Sequence, residues 1–265
     1  NTTIRGKVII ASLWKSFLFG IIFAKTKKIK LITFFHSDRF TNIFNFLISI
    51  FAISQSSKVF CDSLAVKAKI SEFTNSKNIE IIPFNFTETN ATNIVDFSTG
   101  LKPVYIGRIS QEKRIDLILK LHKKISKTTQ INNIMFYGPI EHRKSLKMIN
   151  DYLGAEYCGV IRFDNVNQKL KEFNCIFLLS DREGMGEVIF NSMSFGLIPI
   201  VRDIGELKNY IKNKKNGFVS NNLNLLAEYV AEAYRAKNLL KISKEARLVK
   251  NKVPKYIDEF LKYAR

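Results

Sequence analysis

Cysteine is scarce in this chain. Its 265 residues hold 3, Cys61, Cys158 and Cys175. They are odd in number and scattered, with neither a disulfide framework nor metal-ligand spacing, so buried thiols in a reducing compartment are expected. A membrane-spanning helix needs ~20 apolar residues; the candidate at Trp14 to Ala24 is shorter and is interrupted by Lys15 and Gly20, so it reads as a core helix. The opening Asn1-Thr-Thr-Ile-Arg5 has no signal-peptide pattern, which leaves the sequons at Asn85 and Asn90 without a role. There is no Asp-x-Asp run, no internal repeat and no low-complexity block.

Acidic residues are also few, 23 against 42 Lys and Arg, for a net charge of +19. Such a charge attracts phosphate, whether of a nucleotide, an anionic membrane or a nucleic acid. The lysines are spread along the chain, however, and Lys, Asn, Ile and Phe are abundant together, as an AT-rich coding sequence would produce. Compositional drift ranks first, peripheral contact with an anionic membrane second. Nucleic-acid binding ranks last, because no groove-entering motif accompanies the charge. Apolar residues make up 46%, ample for real cores, and the length allows two domains.

The most informative stretch is Leu178-Leu-Ser-Asp-Arg-Glu-Gly-Met-Gly-Glu-Val-Ile-Phe-Asn-Ser-Met-Ser-Phe-Gly-Leu-Ile-Pro-Ile200. Ile176 to Leu179 reads as a buried strand. Gly184 and Gly186 bracket Met185 in a sharp turn where the backbone can approach a ligand. Val188 to Phe195 reads as a helix stopped by Gly196, and Leu197 to Val201 as the next strand. A helix that begins behind glycines after a strand points free N–H groups at the mouth of a sheet, an anion site. Taken alone, the turn fits a plain βαβ reversal equally well. A second stretch, Val104-Tyr-Ile-Gly-Arg-Ile-Ser-Gln-Glu-Lys-Arg-Ile-Asp116, repeats the strand, glycine turn and helix pattern with Arg108 and Lys113 beside the turn. Together the two turns make a cradle for a nucleotide diphosphate and its sugar.

Both stretches resemble the retaining glycosyltransferases of family 4, the group 1 glycosyl transferases of GT-B fold. The "GR…EK" turn matches Gly107-Arg108 and Glu112-Lys113, and the "S.xEG.G…E…GxP" block matches Ser180 to Gly186 and Gly196 to Pro199. The resemblance runs over roughly residues 7 to 260. It implies an α/β chain of two Rossmann-like domains, the first one incomplete. It also implies hexosyl transfer, with retention, from a nucleotide-diphosphate sugar of UDP or GDP type to a glycan or lipid-linked acceptor, in bacterial surface polysaccharide synthesis. The expected place is the cytoplasm, at the inner face of the plasma membrane.

The resemblance assigns catalytic roles to Glu183, His36, Arg108 and Lys113. The donor would be held by Gly107, Arg108, Lys113, Gly138, Glu183, Gly184, Met185, Gly186 and Asn191. Arg108 and Lys113 suit neutralisation of a departing diphosphate, so no metal and no other cofactor is expected. Glu183 would hydrogen-bond donor hydroxyls. His36, after the strand Leu31–Phe35, would lie near donor sugar and acceptor, with Asp38 as a turn or cap residue. The family's second acid, eight positions after Glu183, is Asn191 here. Two readings stay open: a neutral ribose grip, or a degenerate site in a non-catalytic or split-enzyme subunit. The family also carries a strand, a glycine turn and βα units before the part matching residues 7 to 12, which implies a fragment or half of a split enzyme.

The remaining pattern alternates strands and helices. Strands are expected at Lys7–Ser12, Leu31–Phe35, Lys58–Cys61, Ile79–Pro83, Asn133–Tyr137 and Val160–Phe163. The last should lead into Asp164-Asn165, where the family contacts the base. Lys25 to Lys30 reads as a basic loop. Phe40 to Ile53 reads as a helix whose Ile43, Phe44, Phe46, Leu47, Ile50 and Phe51 face the core, and Ser63 as the N-cap of Ala65–Phe73. Helices are also expected from about Glu112 to Ile125, at Leu223–Ala236 and at Lys241–Ala264. The expected domains are residues 1–95, a partial acceptor-side domain; 96–102, within a polar linker; 103–240, the nucleotide-sugar domain; and 241–265, helices crossing back to the first.

Overall fold

The computed structural model describes residues 8–37, 39–82, 95–249 and 261–262. Asp38, the sequons, residues 84–94 of the polar stretch expected at 84–102, and most of the expected closing helix beyond residue 249 lie outside the described residues. By its internal contacts the chain divides into two compact units, Asn1–Phe86 with Pro254–Arg265, and Thr87–Val253. Both are α/β with wholly parallel sheets.

In the first unit β1 (Val8–Ser12), β2 (Lys30–Phe35), β3 (Lys58–Cys61) and β4 (Ile79–Ile81) lie in sequence order, every neighbouring pair parallel. Helices α1 (Trp14–Lys27), α2 (Ile43–Gln55) and α3 (Leu64–Ile70) make the crossovers. The strands are continuously apolar because both faces are covered: Phe17, Ile21, Phe35, Val59 and Ile70 pack on one side, Ile32, Phe34, Phe60 and Ile82 on the other. Gly20, which interrupts α1 in sequence, is a close approach, since a Cβ there would lie 2.8 Å from the Cβ of Ala11. The Ser63 hydroxyl accepts from the Val66 N–H and caps α3 as expected.

Two expectations for this unit are corrected. The basic segment after Ala24 is not all loop, because α1 continues to Lys27 and ends at Lys28, whose φ is 53°. Only part of the apolar stripe of α2 faces the core. Ile50 packs against it and Phe46 packs edge-on against Phe40 and Phe73, beside buried Asn45, Ser49, Ala52 and Ile53, while Ile43, Phe44, Leu47 and Phe51 are exposed. Helical spacing defines a face, but only the tertiary fold decides which way it turns.

The second unit holds β5 (Pro103–Ile106), β6 (Ile134–Tyr137), β7 (Ala155–Tyr157), β8 (Cys175–Leu178), β9 (Ile198–Val201) and β10 (Phe218–Val219) in the order β10-β9-β8-β5-β6-β7. The chain winds outward from β5 through β6 to β7, then returns to β5's other side with β8. Its helices are α4 (Ile115–Ile125), α5 (Arg143–Asn150), α6 (Phe163–Leu170), α7 (Glu187–Ser194), α8 (Leu207–Tyr210), α9 (Leu223–Arg235) and α10 (Leu239–Leu248). β5 and β8 are neighbours, so the winding reverses between them. Open α/β sheets bind ligands outside the carboxyl ends of the strands at such a reversal. Val104, Phe136, Ile176, Phe177, Ile198 and Ile200, all fully buried, are the middle of the core. Residues leading into β5 are fixed by buried Asn174, whose amide donates to the carbonyls of Asp96 and Gly100 and accepts from the Lys102 N–H.

The strand expected at Val160–Phe163 is absent. The strand at that edge is β7, paired with Ile134 to Phe136. Gly159 (φ 82°) then turns the chain, Val160 is exposed, and Asp164 and Asn165 lie in the first turn of α6. Helix α4 starts at Ile115, three residues later than expected, after a turn closed by the Arg114 N–H donating to the Gln111 carbonyl at 3.1 Å.

Candidate functional site

The loops leaving β5 and β8 stand side by side because their strands pair, and they are tied to each other. The Asp181 N–H donates to the Glu112 carbonyl at 2.9 Å. Lys113 Nζ donates to Glu183 Oε1 at 2.5 Å, and the Ser180 hydroxyl donates to the same oxygen at 2.7 Å. The Lys113 and Glu183 side chains are only 15% and 11% exposed. Their charges are therefore poorly screened, and the carboxylate is fixed by two donors.

A second layer of charge surrounds this pair. Asp181 Oδ1 accepts from Arg114 at 2.9 Å and from Arg202 at 2.8 Å. Arg114 also forms a bidentate pair with Asp116, at 2.9 and 3.0 Å. Burial alone would raise the Asp181 carboxyl, but Arg202 and Arg114 outweigh it and hold the group below the ordinary carboxylate range. The Arg114 hydrogen bond likewise lowers Asp116. Arg114 adopts φ 49°, a left-handed conformation unusual for a bulky residue, and its three side-chain bonds compensate.

Backbone shape completes the turn after β8. Gly205 (φ 54°) has no room for a side chain, since a Cβ would lie 2.2 Å from the Glu183 carbonyl oxygen. The Glu206 N–H donates to the Gly184 carbonyl. Gly186 (φ 70°) caps α7, against Leu207. Among the described residues the N–H groups of Gly184, Met185, Gly186 and Glu187 make no hydrogen bond, so donors remain at the start of α7. The Met185 side chain is buried in the core.

The turn after β5 rests on Tyr105. This fully buried side chain donates its hydroxyl to the Arg108 carbonyl at 2.8 Å. Burial, with help from Glu183, pushes its pKa well up, so it stays a neutral donor. Gly107 and Gly138 meet directly, as a Cβ on Gly138 would lie 1.9 Å from the Gly107 carbonyl oxygen. Arg108 is half exposed, and its guanidinium donates to Glu141 at 2.9 Å.

The fold thus joins Lys113 to Glu183, sets Gly107 against Gly138, and gives Arg108 the partner Glu141. Asn191 on α7 donates to Asn167 Oδ1 at 3.0 Å, and its own Oδ1 is buried with no hydrogen-bond partner. His36 belongs to the first unit, at the carboxyl end of β2, where Nε2 shares a hydrogen bond with the Ser12 hydroxyl at 2.7 Å and Nδ1 lies 3.7 Å from Asp62 Oδ2. Among the described residues no three of His, Cys, Asp and Glu cluster as metal ligands. Tyr105, Asp181, Arg114 and Arg202 had no sequence-level signal beyond their nearness to the two turns.

Comparison with known proteins bears on family and fold. The pattern of the family described as Glycosyl transferases group 1 matches residues 93–252. A glycogen synthase of Clostridium botulinum (strain Alaska E43 / Type E3) is 28% identical over 161 residues, 55% of this chain and 32% of that protein. The chain thus spans about a third of that relative's length. TarM of S. aureus, solved with Fondaparinux, alpha-GlcNAc-glycerol and UDP, superposes with a TM-score of 0.79 at 20% identity, over 96% of this chain and 54% of that one. Anabaena Alr3699/HepE, solved with UDP, gives 0.80 at 15% identity over 97% and 77%. The fold is that of the GT-B glycosyltransferases, and the chain belongs to the group 1 glycosyl transferases.

Proposed function

We propose that this protein moves a hexosyl group, with retention, from a UDP or GDP sugar to a glycan or lipid-linked acceptor in surface polysaccharide synthesis. The observation that carries this reading is the Lys113–Glu183–Ser180 cluster at the β5/β8 reversal, beside the unpaired N–H groups that open α7. Departure of a diphosphate loads negative charge on its oxygens. Lys113, Arg108 and the α7 dipole meet that charge without a metal ion. Arg108 would exchange Glu141 for phosphate, a bidentate partner of the same sign. Glu183, already fixed by two donors, would use its second oxygen for donor hydroxyls. Asn191 would contact ribose as a neutral hydrogen-bonding group.

Support from relatives is of two kinds. TarM and HepE have both been solved with UDP, and HepE also with UDP-glucose. A sulfoquinovosyl transferase of Arabidopsis thaliana also matches, at 24% identity over 121 residues. The test is calorimetric titration with UDP, GDP, ADP and CMP sugars. Then turnover of the sugar that binds is followed by NMR at the anomeric centre. Binding of UDP or GDP sugars, lost in Arg108→Ala, and a product of unchanged anomeric configuration are expected. Binding without turnover would support the non-catalytic subunit; binding of none would end the reading.

A further inference from the structure

We propose that Ser12, His36 and Asp62 act as nucleophile, base and acid, and that the first unit takes an acyl group from a carboxylic ester onto Ser12 and then hydrolyses it. The three residues come from adjacent parallel strands. Ser12 ends β1, His36 follows β2 and Asp62 follows β3. The registers Ser12 to Phe34 and Phe35 to Cys61 bring them together at the carboxyl edge of the sheet. Ser12 Oγ lies 2.7 Å from His36 Nε2, and His36 Nδ1 lies 3.7 Å from Asp62 Oδ2. A nucleophile bonded to a base that a third group orients is the signature of covalent catalysis, recognised by geometry and not by chain position. The 3.7 Å separation exceeds a hydrogen bond, but contacts of this kind tighten when substrate binds. Asp62 is buried and its Oδ1 has no hydrogen-bond partner, so its carboxylate faces the ring where the reaction places positive charge.

Backbone shape supports the same assignment. Ser12 stands at a sharp strand-to-helix turn, where Leu13, with φ 70° and ψ 142°, leads at once into α1. A residue with a side chain is strained there, and such strain gathers at active sites. Close packing of α1 on β1, through Gly20 and Ala11, keeps the turn tight. The Ser16 hydroxyl donates to the Ser12 carbonyl and fixes it. Among the described residues the N–H groups of Leu13, Trp14 and Lys15 make no hydrogen bond. The first of these follows the nucleophile directly, the position from which a serine elbow of this shape stabilises an oxyanion. An apolar pocket lined by Leu13, Trp14, Phe17, Phe34 and Phe40 reaches His36 and suits a short acyl chain. Ser12 Oγ bonds to the ester carbon while its proton passes to His36 Nε2, and His36 gives that proton to the departing alkoxide. Water then repeats the two transfers, releasing the carboxylic acid and restoring the serine. The inference stands on the first unit alone and does not depend on the transferase reading.

The experiment treats the whole chain with an alkyl fluorophosphonate, maps the labelled peptide by mass spectrometry, and follows turnover of p-nitrophenyl acetate before and after labelling. Wild type is labelled at Ser12, and labelling abolishes ester turnover. Ser12→Ala is not labelled. His36→Asn, which can still hydrogen-bond Ser12 but cannot take its proton, is labelled about 100-fold more slowly or worse, and Asp62→Asn about tenfold more slowly or worse. Circular dichroism melting verifies that the variants are folded, and the mapped site in wild type stands without them. Absence of label from Ser12 overturns the inference. So does ester turnover that survives labelling, or a labelling rate unchanged in folded His36→Asn, since Ser12 would then be an ordinary surface hydroxyl.

Discussion

Lys113 and Glu183, 70 residues apart in sequence, meet at 2.5 Å with both side chains largely shielded from water. Each is the other's main charge partner, and the pair clasps two loops that paired strands bring together. Removing one member leaves a shielded charge uncompensated, which costs more than losing the pair outright. Lys113→Ala should therefore lower unfolding stability by about 1–3 kcal/mol. Lys113→Ala/Glu183→Ala should recover part of that loss. Urea denaturation of the two single variants and the double variant closes the cycle; additive losses would mean that the two side chains do not interact.

Acid should loosen the same two loops. Asp181 and Asp116 both titrate below the ordinary aspartate value in the folded chain. Their stabilisation is full above about pH 4 and is lost as pH falls through the folded values. Arg114 serves both carboxylates from a left-handed backbone conformation. In Arg114→Gly, relief of about 1 kcal/mol at that φ offsets the loss of partly exposed ion pairs worth roughly 0.2–1 kcal/mol each. Stability at pH 7 should thus move by less than about 1 kcal/mol, while the acid limb below pH ~4 becomes shallower. Denaturation midpoints measured from pH 7 to pH 2 separate the two effects.

What the sequence showed was local. The two strand–glycine–helix turns are contiguous patterns, so Gly107, Lys113, Glu183 and Gly186 could be found by spacing, and the Ser63 cap by residue type. What the sequence hid was long-range or two-sided. Periodicity in α2 defined an apolar stripe but not its direction. Val160 to Phe163 matched a strand as well as Ala155 to Tyr157 does, and only pairing with β6 decides between them. Arg114's partner Asp181 is 67 residues away and Arg108's partner Glu141 is 33 away. Those ion pairs exist because β5, β6 and β8 are adjacent, which no local signal states.

Gly205 offers a test of backbone shape with no charge involved. Its φ of 54° suits glycine, and a Cβ would sit 2.2 Å from the Glu183 carbonyl and 2.7 Å from that of Gly184. Backbone cannot yield as a flexible side chain would. Gly205→Ala should push the 183–184 turn away and cost about 1–3 kcal/mol. Nucleotide-sugar affinity should fall as well, because Glu183 moves off Lys113. Gly159→Ala is the control: it also has positive φ, 82°, but nothing within 4 Å of its Cβ. It should lose stability through backbone strain while leaving affinity unchanged.

His122 makes the second unit sensitive to mild acid. The ring is 3% exposed, with Nε2 at 2.9 Å from the Asn132 carbonyl and Nδ1 at 2.9 Å from the Tyr152 hydroxyl. A carbonyl can only accept, so Nε2 carries the proton and Nδ1 accepts from Tyr152. Burial pushes the imidazole below its ordinary value of 6.5, and the Asn132 bond opposes this only in part. The unfolded chain therefore binds a proton at this residue that the folded chain resists. His122 has its full stabilising effect above pH ~6.5, and that effect is lost as pH falls through the folded value. Replacing it with a neutral amide should cost about 1–2 kcal/mol at pH 8, where both ring hydrogen bonds are intact. The same variant, His122→Gln, should lose less on going from pH 8 to pH 5 than wild type does, because no buried ring remains to be charged. Parallel urea titrations at the two pH values measure both differences; an identical acid loss in the two proteins would show that His122 is not the group responsible.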